Sequence, residues 1–276
     1  MPETPSSFQS EVAQELAQEM ETRIGLNPEF ARKVGNFGFI ELEDSWGDEA
    51  TIINTARIST TNRRVSSLAD FTDRERQLLY HLLYHNHGTP FESVHFRWRV
   101  IAPIFVFRQW MRHRISSFNE FSQRYRQPIP AFYIPDQQAR TVDGFEVMDE
   151  EQVARYEALI ETLHSFYQKE YEESCKRVSD AEERGEIPKI QGGRNPYRAR
   201  SRELLRNAMP VSTYSDLYWT INFRSLMNFF DLRRKPEAQY EIRVFADAAY
   251  DMFKARFPLL GETMDRVLLE RSGKGA

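Results

Sequence analysis

The chain of 276 residues has a single cysteine, Cys175, so neither a disulfide framework nor a cysteine-rich zinc site is open to it. It has no apolar run near the roughly 18 residues that a membrane-spanning helix needs. The longest uncharged apolar stretch is Val100 to Phe107. The opening MPETPSSFQSE has neither the basic start nor the apolar centre of a secretory leader, and the expectation is a cytoplasmic protein. G-x-G-x-x-G and G-x-x-x-x-G-K-[ST] are both missing, and Gly192-Gly193 alone makes no phosphate loop. Any nucleotide must therefore be held by side chains. Lysine is scarce as well, at seven of the 37 basic residues, the other thirty being arginine. Arginine offers a planar fork for phosphate and carboxylate and stacks on flat rings. A compositional habit of the source would also give this bias, so the positions of the arginines must decide.

What is present is enough apolar material, 41% of residues, to bury a core in one large domain or two small ones. Residues 1–35 read as an N-terminal helical extension: within Phe8 to Ile24, Val12, Leu16 and Met20 recur every four residues. From Phe37 to Ile58 the pattern is extended, with Phe37, Phe39 and Leu42 alternating with polar neighbours. Thr72 and Glu75 form a capping box that opens a helix bearing Leu78, Leu79, Leu82 and Leu83, stopped by Gly88 and Pro90. Val94, Phe96, Trp98 and Val100 alternate with His95, Arg97 and Arg99, which predicts a strand with one basic face. Pro103 suits the start of a helix over about 104–114, followed by a long loop. A polar helix spans about 149–186. Fourteen acidic residues lie between 143 and 186 against five basic, and residues 187–210 reverse this with six basic and one acidic. The last third reads as helical, 214–234 and then 237–257. The expected fold is α+β: a central, mostly antiparallel sheet packed with helices, in one domain over 36–276.

The densest chemistry lies in Arg108 to Arg114, followed by Ser116, Ser117, Asn119, Glu120, Ser122, Arg124 and Arg126. On a helix, Gln109, Arg112 and His113 share a face. The set suits one ligand with several phosphates or two ligands; a solvated basic helix end, favoured by the dipole, is the competing reading. In a second segment Asn222 and Arg233 fall on one helical face and Arg224 and Asn228 on a neighbouring one, amid Leu226, Met227, Phe229 and Phe230. Such polar groups need partners, either one another or a ligand. Arg206 is a third, isolated candidate. His81, His85 and His87 lie close together, yet no H-E-x-x-H forms and Glu92 is the only acid nearby, so no metal is expected. Cys175, in a charged helix without a histidine partner, is not a catalytic thiol.

Arg112-His113-Arg114, seven residues and then Ser122 matches the R-H-R-x7-S signature of flavin-dependent thymidylate synthases, and the surrounding APIFVFRQWMRHRISSFNEFSQRY resembles that family's central segment. His87-Gly88-Thr89-Pro90-Phe91-Glu92 resembles its H-x-[TS]-P-F-E-H. Two departures stand out: Gly88, where the family is often acidic, and Ser93, where it usually has histidine. Ala56-Arg57-Ile58-Ser59 resembles A-R-V-S, and Asn222 to Arg233 resembles N-x-R-S-L-x-N-F-x-x-L-R. The likeness covers about 36–257.

The resemblance implies a homotetramer with sites between subunits that methylates dUMP to dTMP. Methylenetetrahydrofolate would give the carbon and reduced FAD the hydride, with NADPH as reductant. It implies that Gln109, Arg112, Glu120, Phe121, Ser122, Gln123, Arg124, Arg206 and Arg233 contact dUMP. FAD would be held by Ser59, His87, Thr89, Arg112, His113, Arg114, Glu120, Asn222, Arg224 and Asn228. Arg233 takes the catalytic position, a cation beside the pyrimidine that replaces thiol attack, while Ser122 binds rather than attacks. Two other readings are a paralogue acting on another pyrimidine nucleotide such as dCMP, and an arginine-rich RNA-binding module built on 187–210 with Tyr197. Against the second stand the net charge of −4 and arginines clustered with Asn, Gln and Glu. Neither nucleic acid nor membrane is an expected partner.

Overall fold

The computed structural model describes residues 11–190 and 195–271. Phe8 to Ser10 of the predicted first helix, and Gly192-Gly193, lie outside those residues. Helix α1, Glu11–Leu26, leads into strands β1, Ala31–Val34, and β2, Gly38–Trp46. Helices α2, Glu49–Arg57, and α3, Asp73–Tyr84, follow, and then strand β3, His95–Pro103, and helix α4, Ile104–Trp110. Strand β4, Ser116–Glu120, precedes a small hairpin of β5, Thr141–Val142, and β6, Phe145–Glu146. Helices α5, Glu150–Glu183, and α6, Pro196–Leu205, then strand β7, Tyr214–Asn222, and helices α7, Phe223–Arg233, α8, Tyr240–Arg256, and α9, Pro258–Arg271, complete the order.

The main sheet runs β1-β2-β3-β7-β4 with every pair antiparallel. One face carries the large core: Phe96, Trp98, Trp219 and Ile221 from the strands meet Leu79, Phe229, Phe253 and Leu260 from the helices. The other face packs α1 through Ala13 and Met20 on Phe37, Phe39, Ile101 and Tyr214. This is the α+β arrangement expected, in one domain.

Several local expectations are corrected. Of the expected seam of α1, Met20 is buried and Leu16 packs partly buried beside it, while Val12 is half exposed and Ala13 takes the inward place next to it. Residues 31–34, within the segment read as a helical extension, are an edge strand paired with β2. The extended reading of 37–58 holds only to Trp46, because Asp48 and Thr51 form a capping box that starts α2. The helix expected over 104–114 ends at Trp110, and part of the loop expected after it is β4. Most consequential, 214–222 is a strand rather than a helix. Leu217, Trp219 and Ile221 are buried while Tyr218 is exposed and Thr220 partly so, a period of two that runs straight into the helical period of α7. Asn222 marks the change: its Oδ1 accepts from Ser225 N at 2.9 Å and caps α7. Helix α9, with Pro258 at its first turn, lies beyond the helices expected from the sequence.

The basic face of β3 is neutralised within the chain. Arg99, 9% exposed, pairs with Asp216 of β7 and Glu19 of α1, and Arg97 pairs with Glu43. Two arginines of the basic stretch behind the RNA-binding reading, Arg198 and Arg202 of α6, are held against the acidic helix α5. Arg198 donates to Ser179 at 2.9 Å and faces Glu182, and Arg202 donates to the Tyr171 hydroxyl.

Candidate active site

The predicted residues gather in three places. The first is where the ends of α4 and α7 meet. After Trp110 the chain makes a tight turn, Arg112 N to Gln109 O and His113 N to Trp110 O, which sends His113 inward and leaves Arg112 and Arg114 exposed. His113, 7% exposed, packs edge-on against Phe229 at 5.0 Å. Arg233 Nε donates to His113 Nε2 at 3.0 Å, and Arg233 Nη2 donates to the Gln109 carbonyl at 3.1 Å. Burial, and then the Arg233 charge, push the His113 pKa down to about 4. The imidazole is therefore neutral at ordinary pH, carries its proton on Nδ1 and offers Nε2 as an acceptor. The Gln109 side chain is bonded to Gln239.

The second place is the end of β4 with the following loop. Glu120 Oε1 accepts from Ser215 Oγ at 2.8 Å, a fully buried hydroxyl on β7. Phe121 N donates to Asp216 O at 2.7 Å, and the Phe121 ring lies under the Arg126 guanidinium. The Ser122 carbonyl takes the N–H groups of Tyr125 and Arg126, closing a turn that also contains Gln123. Arg124 Nε reaches Glu203 Oε1 of α6 at 2.9 Å, and Arg206 lies three residues beyond Glu203, one helical turn along.

The third place is a groove of about 610 Å³ between α3, α7 and α9. Leu83, Met227 and Leu268 are among its apolar walls; Asn86, Arg224, Asn228 and Arg271 are among its polar groups. Arg224 is paired with Glu92. Just before the groove's Gly88, the His87 ring joins those of His81 and His85 at centroid separations of 5.5 and 6.3 Å. Thr89 is exposed at the start of the 3-10 turn Thr89–Ser93. Among the described residues no group of three or more His, Cys, Asp or Glu is placed to hold a metal ion. Ser59 is exposed in the turn after α2, anchored two residues earlier by the buried Arg57–Glu75 pair. Among the described residues no hydrogen bond ties Ser59 to the three clusters.

The helix expected to align Gln109, Arg112 and His113 is thus replaced by a turn that separates them. His113 turns in to meet Arg233, and Arg112 and Arg114 turn out with no carboxylate partner among the described residues. Ser215, Asn86 and Arg271 are not among the residues expected from sequence. The alternation of 214–222 is the available signal for Ser215; Asn86 and Arg271 carry none.

A family model described as "Thymidylate synthase complementing protein" matches residues 41–259. The flavin-dependent thymidylate synthase of Thermosipho africanus is 35% identical over 228 residues, 82% of this chain and 90% of that protein. That of Rickettsia prowazekii is 33% identical, covering 86% of this chain and 79% of its own. The solved UMP/dUMP methylase PolB from Streptomyces cacaoi, bound with 5-Br dUMP, is similar at a TM-score of 0.64 and 31% identity, over 83% of this chain and 95% of that one. No helix among the described residues is long and apolar enough to cross a membrane. With its R-H-R segment at the junction of α4 and β4 and the matched region spanning the whole sheet from β3 onward, the chain belongs to the flavin-dependent thymidylate synthase family.

Proposed function

We propose that the chain methylates dUMP to dTMP, with 5,10-methylenetetrahydrofolate as carbon donor, FAD as cofactor and NADPH as reductant. The same reading takes the enzyme to be a cytoplasmic homotetramer, with sites completed between subunits. The observation that carries it is the Arg233–His113–Gln109 arrangement in a chain whose one cysteine lies elsewhere, on α5.

The residues present suit a flavin dinucleotide. Its two phosphates call for guanidinium forks, and Arg112 and Arg114 are exposed and unpaired among the described residues. Its flat rings call for an apolar slot with polar edges, which the α3–α7–α9 groove supplies together with Arg224 and Asn228. His87, Thr89, His113, Glu120, Asn222 and Ser59 complete the set assigned to FAD. When bound, the reduced flavin supplies the hydride.

The rest falls to the chain's own side chains. Arg233 is assigned the position beside the pyrimidine N3 and O4, where a fixed cation favours the ionised base and makes C5 electron-rich without a thiol adduct. Two of its five N–H donors are used inside the chain and three remain for substrate. Neutral His113 fixes the guanidinium without adding a competing charge. Gln109, Arg112, Phe121, Ser122, Gln123, Arg124 and Arg206 bind and orient dUMP, and the Ser215 hydroxyl fixes the Glu120 carboxylate among them. Ser122 binds only; its hydroxyl accepts from Arg124 N, and among the described residues no base is bonded to it.

The test is the absorption spectrum of the purified protein and its change on adding dUMP. A flavin spectrum perturbed by dUMP supports the reading, and a colourless protein that takes up no FAD ends it. The likeness to a UMP/dUMP methylase raises a second reading, in which the ribonucleotide is also a substrate. Product formation from UMP, dUMP and dCMP compared side by side separates the two.

A further inference from the structure

We infer that Gln239, at the start of α8, is a positioning residue for dUMP binding: its side-chain carbonyl holds the Gln109 amide in one orientation before the nucleotide arrives. The inference rests on the reading of Gln109 as a dUMP contact.

The side chain at 239 is not used for its own helix. The first N–H groups of a helix are commonly met by a Ser, Thr, Asp or Asn side chain at the N-cap. Gln239 occupies that place in α8, with φ −54° and ψ 137°, and its carbonyl takes the N–H of Arg243 at 3.1 Å. Its side chain makes no capping bond. It reaches across to α4 instead, where Oε1 accepts from Gln109 Nε2.

Both ends of this bridge stand on held backbone. Gln109 lies in the last turn of α4, and its carbonyl accepts from Arg233 Nη2 at 3.1 Å. The connection from α7 to α8 is tied by Ala238 N to Lys235 O at 3.0 Å and by Arg243 Nη1 to Pro236 O at 3.1 Å. Two residues into α8, Glu241 Oε1 accepts from the Tyr133 hydroxyl at 2.7 Å. The segment from Arg233 to Gln239 therefore grips Gln109 twice, at the main chain through Arg233 and at the side chain through Gln239. A carboxamide carries one acceptor oxygen and two N–H donors, and either end can face a ligand. With one Nε2 hydrogen given to Gln239, the Gln109 oxygen and its second N–H are left for dUMP in a set arrangement. Rotamer freedom that binding would otherwise remove is already restricted, which is preorganisation.

The experiment compares the holoenzyme of wild type, Gln239→Ser, Gln109→Ala and the double variant. It measures dUMP affinity from the change in flavin absorption, kcat and KM for dUMP, and melting temperature. Serine separates the two roles of position 239, being uncharged, too short to reach Gln109 and a better N-cap than glutamine. Gln239→Ser is expected to raise Kd and KM for dUMP three- to tenfold. Its kcat should stay within twofold, because Arg233 still holds the Gln109 carbonyl, and its melting temperature should be equal or higher. In the Gln109→Ala background the same change should have no further effect on dUMP. Wild-type dUMP affinity in Gln239→Ser, with Gln109→Ala weakened, would overturn the inference and leave the assignment of Gln109 standing. Wild-type affinity in Gln109→Ala would remove both. Equal weakening by Gln239→Ser in both backgrounds would show that Gln239 acts without Gln109 and overturn the inference. Weakening accompanied by a lower melting temperature would overturn it too, making Gln239 merely structural.

Discussion

The two ends of α7 hold arginines in opposite ways. Arg233, at the last turn, is half-buried and bonded to an uncharged imidazole and a backbone carbonyl. Arg224, at the first turn, is exposed, lies over a glycine and is paired with a surface carboxylate. Neither partner of Arg233 carries charge, so its positive field is undiminished where a developing negative charge would need it. Arg224, assigned to the flavin in the proposed reading, already has a carboxylate partner that a ligand would have to replace. A group that stabilises a changing charge must be fixed beforehand, because reorganising it would consume what it contributes. A group that grips a permanently charged cofactor tolerates exchange.

Replacing Arg233 with alanine should break this contrast most severely. The expected loss is about a thousandfold in dTMP formation, in line with removal of a preorganised donor, with FAD still bound. Turnover within tenfold of wild type would refute the catalytic assignment.

Next in size is His113→Asn, which keeps an acceptor for Arg233 but removes the titrating ring. A tens-fold fall in turnover is expected. The acid response sharpens the point. The His113 pKa is held at about 4 against an ordinary 6.5, so on acidification the unfolded chain binds the proton first. The stability tied to the neutral ring is complete above pH 6.5 and is lost progressively as pH falls from 6.5 to 4. Melting temperature should decline less across that window in His113→Asn than in wild type, and parallel curves would show that His113 is not the group responsible. Glu75 acts in a lower window: its pKa, lowered to about 2 by bonds from Thr72, first the hydroxyl, and from Arg57, gives stability lost only as pH falls from 4.5 toward 2.

Sequence and structure agree best where one motif occupies one element. The capping box at Thr72 starts α3 as expected, and the acidic helix begins at its own cap, Asp149. The site residues are legible as types, since arginines among Asn, Gln and Glu signal anion recognition wherever they fold. Their grouping is not. The 214–222 strand joins α7 with no glycine or proline between them, and only the Asn222 cap separates a period of two from a period near four. Read as one helix, that segment places Asn222 and Arg233 on a common face. It also hides Ser215, whose bond to Glu120 spans 95 positions along the chain. The R-H-R segment reads one turn too far for a related reason: cations at a helix end satisfy its dipole, yet Arg112 and Arg114 lie beyond the end, directed outward by the turn at Met111.

At the other end of α7 the expected effects are smaller. Arg224→Ala should weaken FAD ten- to hundredfold, the usual worth of hydrogen bonds to a charged group, with dUMP affinity at saturating FAD unchanged. An equal loss of dUMP affinity would mean that the two ends of α7 are not separate sites.

Smallest of all should be Glu92→Gln. The pair it breaks is about half exposed on both sides, 55% for Arg224 and 44% for Glu92, and such pairs contribute roughly 0–1 kcal/mol. Folding stability should move by less than about 1 kcal/mol. FAD affinity should fall no more than about threefold, because a neutral amide still accepts from the guanidinium. A Glu92→Gln variant that loses as much FAD affinity as Arg224→Ala would show that the charge of this carboxylate, and not the guanidinium alone, decides how the first turn of α7 holds the cofactor.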